Sequence, residues 1–384
     1  MSKEDIFSLF IGFCFIWTSS LAKNIGDSCI MNGGKENGFC TYISNCSKDL
    51  FGPRDSLKYT KCDTENFFII CCPERFFNSQ PTTTSKAFEI RMDGKRISEQ
   101  KCEEYSSAVY VEFATTSLVA GAPNVISRKQ QCRHKTQSLV VGGVNAGLYE
   151  FPHMALLGYV SRPEGNIDWD CAGSLISDEY VLTAAHCLTT KAGLEKVRLG
   201  ELDYTSKTDG ATPKDYRISS MISHPKYDPD LTYNDIAIIR LTEKVILTPE
   251  VRPACLPKSA DIKQRMIATG WGKTEFAGVK SSYLQKVVLE KFTRNECSRT
   301  YQINSLGFPR GLQSSQYCAG HKTESRDTCD GDSGGPIQDY HTDLFCMYTL
   351  YGITSLGQGC GTIGVPGLYM HIYSYIDWIE SVVW

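Results

Sequence analysis

The sequence predicts an all-β protein, a β-barrel or a β-sandwich, that ends in an amphipathic helix. Residues 140–384 contain many short apolar or alternating runs, such as residues 235–241 and 283–289, and clusters of Gly, Pro, Asn and Asp separate them. That pattern is typical of β-strands joined by turns. Near the carboxyl terminus, apolar residues instead recur at spacings of four, three and four, which predicts a helix. They are Ile372, Ile376, Ile379 and Val383.

Length and charge restrict the class of protein. A chain of 384 residues is typical of two or three domains. With 40 basic and 43 acidic residues the formal net charge is −3, so there is no global basic field, and this argues against nucleic acid as a partner. The longest apolar run, residues 6–17, is too short to span a bilayer.

The amino-terminal segment has the pattern of a secretory signal peptide. Lys3 precedes the apolar run, and Ser20 and Ala22 place small residues at the −3 and −1 positions of a cleavage site. Glu4 and Asp5 are atypical of the basic start of such a peptide, which leaves a membrane anchor or a buried helix as alternatives. We interpret residues 1–22 as a signal peptide and expect a secreted, extracellular protein.

The cysteines also point to an oxidising compartment. The chain has 17 cysteines; Cys14 would leave with the signal peptide, and the other 16 form an even number that suits complete pairing. No repeated Cys-x-x-Cys pair is present, so a zinc ribbon has no support.

The mature chain divides into three stretches. Residues 26–73 hold six cysteines, and a module of this length needs disulfides because it cannot bury much surface. Residues 74–139 are polar and rich in turn residues, which predicts a linker with few core positions, held at points by Cys102 and Cys132. Residues 140–384 form the predicted β domain. The cysteines of the first module are Cys29, Cys40, Cys46, Cys62, Cys71 and Cys72, and the sequence alone leaves their connectivity open.

Three short segments of the last stretch carry residues that suit nucleophilic catalysis. His186 lies in Thr-Ala-Ala-His-Cys, Asp235 in Asn-Asp-Ile-Ala, and Ser333 in Gly-Asp-Ser-Gly-Gly-Pro. A serine hydroxyl needs a base to take its proton, and that base needs a carboxylate to fix its tautomer. Taken alone, each segment also fits a structural, non-catalytic role: a structural histidine, a capping aspartate and a tight turn.

Taken together and in this order, the three segments resemble those of the chymotrypsin/trypsin family of serine proteases, over all of residues 140–384. The resemblance implies a double six-stranded antiparallel β-barrel with His186, Asp235 and Ser333 in the cleft between the barrels. It also implies that the backbone N–H groups of Gly331 and Ser333 form the oxyanion hole, which stabilises charge in the transition state.

Substrate preference follows from the same resemblance. Asp327 matches the acid at the floor of the primary pocket of trypsin-like members, and Gly357 and Gly367 match the small residues that keep this pocket open. A carboxylate at the end of an open slot favours a long cation, so we expect cleavage after Arg or Lys. Thr328 departs from the commonest trypsin residue, which leaves the preference between Arg and Lys open.

Members of the family are made as inactive precursors, and the matching residues imply the same here. The new amino terminus would be Val140, which would pair with Asp332 after cleavage behind Leu139. Burying an ammonium group requires such a carboxylate partner. Most trypsin-like precursors have Arg or Lys in place of Leu139, so we expect activation by an upstream protease that accepts leucine and no efficient self-activation.

The family pattern also implies a disulfide scheme. Within the catalytic unit it pairs Cys171–Cys187, Cys297–Cys318 and Cys329–Cys360, and it joins Cys132 to Cys255 across the activation site. Cys102 and Cys346 are extra to this pattern, and we expect them to bond to each other. For the first module the implied pairs are Cys29–Cys71, Cys40–Cys62 and Cys46–Cys72.

The six-cysteine module resembles the clip domain of arthropod protease cascades. Residues 98–105 and the Leu139 junction look like the subgroup that contains Snake and Persephone. This implies an extracellular cascade leading to Toll signalling or melanisation, with a downstream clip-protease zymogen as protein substrate and a serpin-type inhibitor. The module would dock partners, or it would be a passive stapled cap. The alternatives for the whole chain are a non-catalytic scaffold and a venom or digestive trypsin.

Two further sites are suggested by local sequence. Asn45 lies in an Asn-Cys-Ser glycosylation sequon. Glu201, with Asp203 and Asp209, lies where some family members hold a structural calcium ion, although a solvated acidic loop explains the same residues. We expect no required cofactor.

Overall fold

The computed structural model divides the chain into two units, residues 1–89 and 90–384. It describes residues 28–31, 36–42, 69–73, 94–115, 125–132, 144–160, 165–273, 278–302, 307–323, 331–357 and 363–384. The predictions for the signal peptide, Asn45, Cys46, Cys62, Leu139, Val140, Asp327, Cys329 and Cys360 lie outside these residues. Within them, no helix is long and apolar enough to cross a membrane.

In the smaller unit, β1 (Ser28–Met31), β2 (Glu36–Tyr42) and β3 (Ile69–Pro73) form an antiparallel sheet in that order. Cys40 of β2 lies opposite Cys71 of β3. Cys71 is fully buried and disulfide-bonded. Because Cys46 and Cys62 are outside the described residues, the three pairs expected for this module stay predictions.

The second unit begins with a helix and a hairpin that the sequence did not predict. Helix α1 (Ile97–Tyr105) leads through a 3-10 turn (Ser106–Val109) to the paired strands β4 (Tyr110–Thr115) and β5 (Val125–Gln130). Four side chains at helical spacing are buried: Ser98, Cys102, Tyr105 and Val109. Part of the predicted linker is therefore a folded element of the larger unit.

The first barrel is closed by six antiparallel strands in the order β10-β11-β12-β9-β8-β7. A short strand, β6 (Val144–Asn145), precedes them. The strands are β7 (Met154–Val160), β8 (Ile167–Leu175), β9 (Tyr180–Thr183), β10 (Leu194–Leu199), β11 (Lys214–Ser223) and β12 (Ala237–Leu241), and the short helix α2 (His186–Thr189) follows β9. Apolar side chains of these strands, among them Leu157, Val181 and Ile238, fill the interior.

The second barrel has the order β13-β16-β17-β18-β15-β14, and pairing of β13 with β14 closes it, while β6 extends the edge of β14. Its strands are β13 (Arg265–Gly270), β14 (Gln285–Lys291), β15 (Gln316–Gly320), β16 (Pro336–Tyr340), β17 (Tyr348–Leu356) and β18 (Gly367–His371), with helix α3 (Arg294–Thr300) between β14 and β15. Met266, Leu289, Ile337 and Tyr369 pack in its core. The predicted double six-stranded barrel is confirmed.

The predicted carboxyl-terminal helix is present as α4 (Ile376–Val383), with Ile376, Trp378 and Ile379 buried. It starts later than the apolar spacing suggested. Ile372 lies in a 3-10 turn (Ile372–Tyr375) that joins β18 to the helix. A polar contact of 3.2 Å between Ser374 Oγ and His371 Nδ1 lies within this turn.

Two of the expected disulfides are present and two are wrong. Cys171–Cys187 and Cys297–Cys318 occur as the resemblance implied. In place of Cys132–Cys255 and Cys102–Cys346, the structure has Cys102–Cys255 and Cys132–Cys346, with Cα–Cα distances of 5.2 and 5.8 Å. Helix α1 turns Cys102 toward Cys255, and the hairpin returns the chain so that Cys132 meets Cys346. All four cysteines share one apolar cluster, so assignment by elimination could not separate the two schemes.

Candidate active site

His186 is fixed at the wall of the first barrel. It is the first residue of α2, directly after the turn that ends β9. Its neighbour Cys187 is disulfide-bonded to Cys171 of β8, and the Tyr159 hydroxyl donates a hydrogen bond of 2.7 Å to the carbonyl of Cys187. The backbone that carries the imidazole is therefore tied to β7 and β8.

Asp235 is almost completely buried, with 4% of its surface exposed, and it meets His186 twice. Its Oδ1 accepts a hydrogen bond of 2.8 Å from the backbone N–H of His186, and its Oδ2 lies 2.7 Å from the ring Nδ1. The Ser355 hydroxyl donates to the same Oδ2 at 2.5 Å. Asn234, just before Asp235, has a φ of 55°, which asparagine tolerates better than most residues.

The two groups shift each other's pKa. Burial alone would raise the pKa of Asp235, but the nearby His186 and the hydrogen bonds from His186 and Ser355 lower it. Burial alone would lower the pKa of His186, whereas the charge of Asp235 and its hydrogen bond raise it, with a further contribution from Asp170. A carboxylate at Nδ1 holds the proton of the neutral ring there, so Nε2 is left to accept a proton.

Ser333 lies beside this pair in a turn that requires glycine. Gly331 and Gly334 have φ values of 101° and 78°, and a Cβ on Gly334 would overlap Thr183 and Ala172. The Ser333 carbonyl accepts a hydrogen bond of 2.8 Å from Ala172 N–H and lies 3.6 Å from Cys187 Sγ. In the described part of the chain no hydrogen bond joins the Ser333 hydroxyl to His186, and this contact is often long in enzymes without substrate.

Asp332 is buried at the edge of β13. Its Oδ1 accepts a hydrogen bond of 2.8 Å from the backbone N–H of Gly272. Gly270 and Gly272 leave room for the carboxylate, because a Cβ at either position would overlap it. Leu139 and Val140 are outside the described residues, so the predicted pairing of Asp332 with a new amino terminus stays a prediction.

The residues matched to the primary pocket lie at strand ends. Gly357 follows β17 and is exposed, whereas Gly367 begins β18 and is buried. The hydroxyl of Tyr301 donates to the carbonyls of Leu356 and Pro366, at 3.5 and 2.9 Å, and so fixes the residue before each glycine. Asp327, the predicted floor of the pocket, and Cys329–Cys360 are outside the described residues.

The acidic loop near Glu201 does not fit a calcium site. Glu201 Oε2 forms an ion pair of 3.1 Å with Arg198, and Oε1 accepts a hydrogen bond of 2.8 Å from Leu202 N–H. Asp209 accepts backbone hydrogen bonds from Asp203 and Ala211. Calcium wants six to eight oxygen ligands, and Arg198 already supplies a cation here. The described groups that come close enough to hold a metal contain cysteines bonded in disulfides.

Sequence reasoning missed two groups at the site. Ser355, which binds Asp235, has no motif of its own. Asp170 precedes Cys171 and forms ion pairs with Lys280, at 2.7 Å, and with Lys191, at 3.2 Å. The sequence could not predict the ion pair between Asp170 and Lys280, because Lys280 belongs to the second barrel and is brought close only by the fold.

Comparison with known proteins agrees with this geometry. The family described as Trypsin matches residues 140–379. The chain is 37% identical over 324 residues to "Serine protease snk" of Drosophila melanogaster, covering 83% of this chain and 69% of that protein. It is 34% identical over 310 residues to "CLIP domain-containing serine protease B4" of Anopheles gambiae, covering 76% and 83%. It is 31% identical over 434 aligned positions to "Serine protease ea" of Drosophila melanogaster, covering 100% of both.

The family match covers nearly all of the predicted β domain, and the last alignment covers the whole chain, including the amino-terminal module. They confirm the resemblance that the His, Asp and Ser segments and the cysteine pattern indicated. The chain is a serine endopeptidase of the trypsin family and belongs to its arthropod clip-domain proteases.

Proposed function

We propose that the chain is the secreted zymogen of an endopeptidase that cleaves after Arg or Lys and activates a clip-protease zymogen downstream of it. The observation that carries the proposal is the doubly hydrogen-bonded contact between Asp235 and His186, with Ser333 held against the disulfide beside that histidine. A pair of this kind is the arrangement that activates a serine hydroxyl.

In the proposed reaction, His186 Nε2 takes the proton of the Ser333 hydroxyl as its oxygen attacks the carbonyl carbon of the substrate. Asp235 stabilises the resulting imidazolium without being protonated itself. The N–H groups of Gly331 and Ser333 would bind the oxyanion, and the loss of one such donor costs about 3 kcal/mol. His186 then passes the proton to the leaving amine, and water repeats the cycle on the acyl-enzyme.

Activation would follow cleavage after Leu139. The geometry around Asp332 supports this step, because a buried carboxylate bordered by two glycines is a suitable receptor for an ammonium group. The upstream protease must accept leucine, since an enzyme with an acidic pocket cuts poorly behind an apolar residue. A serpin-type inhibitor would end the activity.

The cascade role is supported by the names of relatives. One such relative is the clip-domain protease of Anopheles gambiae described above. Another is "Phenoloxidase-activating factor 1" of Holotrichia diomphalia, to which the chain is 37% identical over 252 residues, covering 60% of this chain and 66% of that protein. We propose a role in an extracellular immune or developmental cascade, in which the amino-terminal module docks partners.

The test begins with the purified zymogen, cut after Leu139 by a leucine-accepting protease. We expect the cut form to hydrolyse arginine and lysine peptide substrates, to react with a serine-directed phosphonate and to process a clip-protease zymogen. The variant Ser333→Ala should do none of these. Hydrolysis of phenylalanine substrates but not arginine substrates would overturn the pocket assignment, and no reaction with the phosphonate would favour the non-catalytic scaffold.

A second candidate is a secreted protease outside any cascade. It is supported by 36% identity over 248 residues to "Venom serine protease Bi-VSP" of Bombus ignitus, covering 62% of this chain and 66% of that protein. The chemistry would be the same. Efficient cleavage of arginine peptides together with failure on every clip-protease zymogen offered would favour this candidate.

A further inference from the structure

Arg310 is an exposed cation on a loop that is fixed to the segment carrying Asp235. The Tyr233 hydroxyl accepts a hydrogen bond of 3.0 Å from the backbone N–H of Arg310 and donates one of 3.0 Å to the carbonyl of Gly311. The Arg310 guanidinium lies 4.5 Å from the centroid of the Tyr233 ring. Because Tyr233 is buried, both the backbone and the charged group of Arg310 have a firm support.

The same loop contacts the other wall of the cleft. Phe308 is fully buried and packs on Tyr233, at 6.2 Å between ring centroids, and on Tyr301, at 5.2 Å. Tyr301 in turn binds the carbonyls next to Gly357 and Gly367, the residues matched to the primary pocket. The loop with Arg310 therefore lies between the Asp235 segment and the pocket strands.

A peptide cut as proposed above would pass this loop with the residues that precede the cleaved bond. The primary pocket takes the residue directly before that bond, so the residues further toward the amino terminus pass the pocket rim. Elsewhere near His186 lie the Cys171–Cys187 disulfide and Asp170 with its two lysines. There Lys191 and Lys280 are each already paired with a carboxylate.

Arg310, in contrast, has no ion pair within the part of the chain that the structure describes. Asp228 and Asp230, on the segment that leads to Tyr233, do not pair with it. Stacking on a ring uses the face of the guanidinium and leaves its in-plane N–H donors for a carboxylate. A cation that is already positioned loses little conformational entropy when it binds such a group.

We propose that Arg310 is a specificity residue that binds an acidic side chain of the substrate, two to five residues before the cleaved bond. This inference rests on the proposed function, because it assumes a peptide that is cut after Arg or Lys. It concerns only which peptides are preferred. A failure to cleave any arginine peptide would reject the proposed function itself and can be recognised separately.

The test uses the full chain after cleavage behind Leu139 and a set of fluorogenic peptides with arginine before the cleaved bond. Glu, Ala or Lys is placed at each of the four preceding positions in turn, and kcat/KM is measured. At one of these positions we expect the peptide with Glu to have a kcat/KM about 3- to 10-fold higher than the peptide with Ala. The peptide with Lys should have a lower kcat/KM than the peptide with Ala. Higher salt should reduce the Glu preference, since this contact is partly exposed.

Arg310→Ala should make kcat/KM equal for the Glu and Ala peptides, and Arg310→Lys should retain part of the preference for Glu. The matched control is Arg217→Ala, which removes an exposed arginine from strand β11 and should leave the ratio unchanged. An equal ratio in the parent and in Arg310→Ala would overturn the proposal. A preference of the parent for Lys would do so as well, because it would assign the dominant charge to Asp228 and Asp230.

Discussion

Two carboxylates, Asp235 and Asp170, affect the pKa of His186 to different extents. Asp235 is hydrogen-bonded to the ring and almost fully buried, whereas Asp170 adds a smaller electrostatic contribution, and its own oxygens are held by Lys280 and Lys191. Both raise the pKa of His186. A general base must be neutral to accept a proton, so a higher pKa moves the loss of activity to higher pH.

Asp170→Asn should therefore shift the acidic limb of the pH–activity profile to lower pH. The variant removes a negative charge that favours the imidazolium, so His186 stays neutral at more acidic pH. The measurement is kcat/KM of the two-chain enzyme on an arginine substrate between about pH 5 and 8. The control is Asp168→Asn, because Asp168 also pairs with Lys191 but does not contribute to the shift of His186. A shift of equal size in both variants would contradict the assignment.

At the residue scale, the sequence predicted the three catalytic residues but not the side chains that contact them or shift their pKa. His186, Asp235 and Ser333 stand in recognisable segments, and the structure brings the first two into contact over 49 residues of sequence. Ser355 joins Asp235 over 120 residues, and Asp170 meets a lysine of the other barrel. Contacts of that kind are made by the fold and have no local pattern.

Helix α1 shows why an element can be missed. The buried side chains of the helix, Ser98, Cys102 and Tyr105, are followed by the buried Val109 of the 3-10 turn, and together they have the same spacing of four, three and four that predicted the carboxyl-terminal helix. Only some of them are apolar, so a search for apolar periodicity passes over them. The helix is held by specific contacts with α4 instead. Glu380 of α4 accepts hydrogen bonds from Arg96 Nε and Nη2 and from the backbone and hydroxyl of Ser98.

Glu380→Ala should lower the free energy of unfolding by about 1–2 kcal/mol, because it leaves Arg96 and Ser98 without their common acceptor. The side chain of Glu380 is only 15% exposed, so solvent cannot fully replace it. Denaturant unfolding of the zymogen measures the change. Asp377→Asn provides the comparison, since Asp377 pairs with the same Arg96 but is 91% exposed, and it should change stability by less than about 0.5 kcal/mol. Equal effects of the two variants would argue against this docking contact.

The loop after β10 leads to a prediction about calcium. Because Arg198 of β10 binds the Glu201 carboxylate, a divalent ion at this carboxylate would meet a positive charge beside it. We expect a chelator to leave the Tm and the activity of the two-chain enzyme unchanged. An increase of several degrees in Tm on adding millimolar calcium, absent in Glu201→Gln, would show that the loop rearranges to hold the ion.

At the scale of the whole molecule, two disulfides join residues 94–132 to the catalytic domain. Sequence patterns predicted the barrels well, because strands and turns are local, but they gave the wrong pairing for Cys102, Cys132, Cys255 and Cys346. Any of these cysteines lies near the others in one cluster, and only the path of α1 and the following hairpin decides which two meet.

The single variant Cys102→Ser distinguishes the two schemes. With the observed pairs, it frees the thiol of Cys255 and keeps residues 94–132 attached through Cys132–Cys346 after cleavage. The alternative scheme would instead free the thiol of Cys346. Alkylation of the denatured chain followed by peptide mapping identifies the free cysteine. An alkylated Cys346 together with an unmodified Cys255 would contradict the structure.

In the proposed scheme, control of the enzyme depends on the mismatch between its expected pocket and its proposed activation site. An acidic pocket selects Arg or Lys, whereas Leu139 precedes the proposed activation bond, so the zymogen should be stable in the presence of its own active form. Leu139→Arg should remove this barrier, and the purified chain should convert itself to two chains at a rate that increases with its concentration. The double variant with Ser333→Ala should remain intact, which excludes a contaminating protease. If Leu139→Arg stayed as intact as the parent after a trace of active enzyme was added, the pocket would not accept arginine, and the proposed cleavage specificity would be wrong.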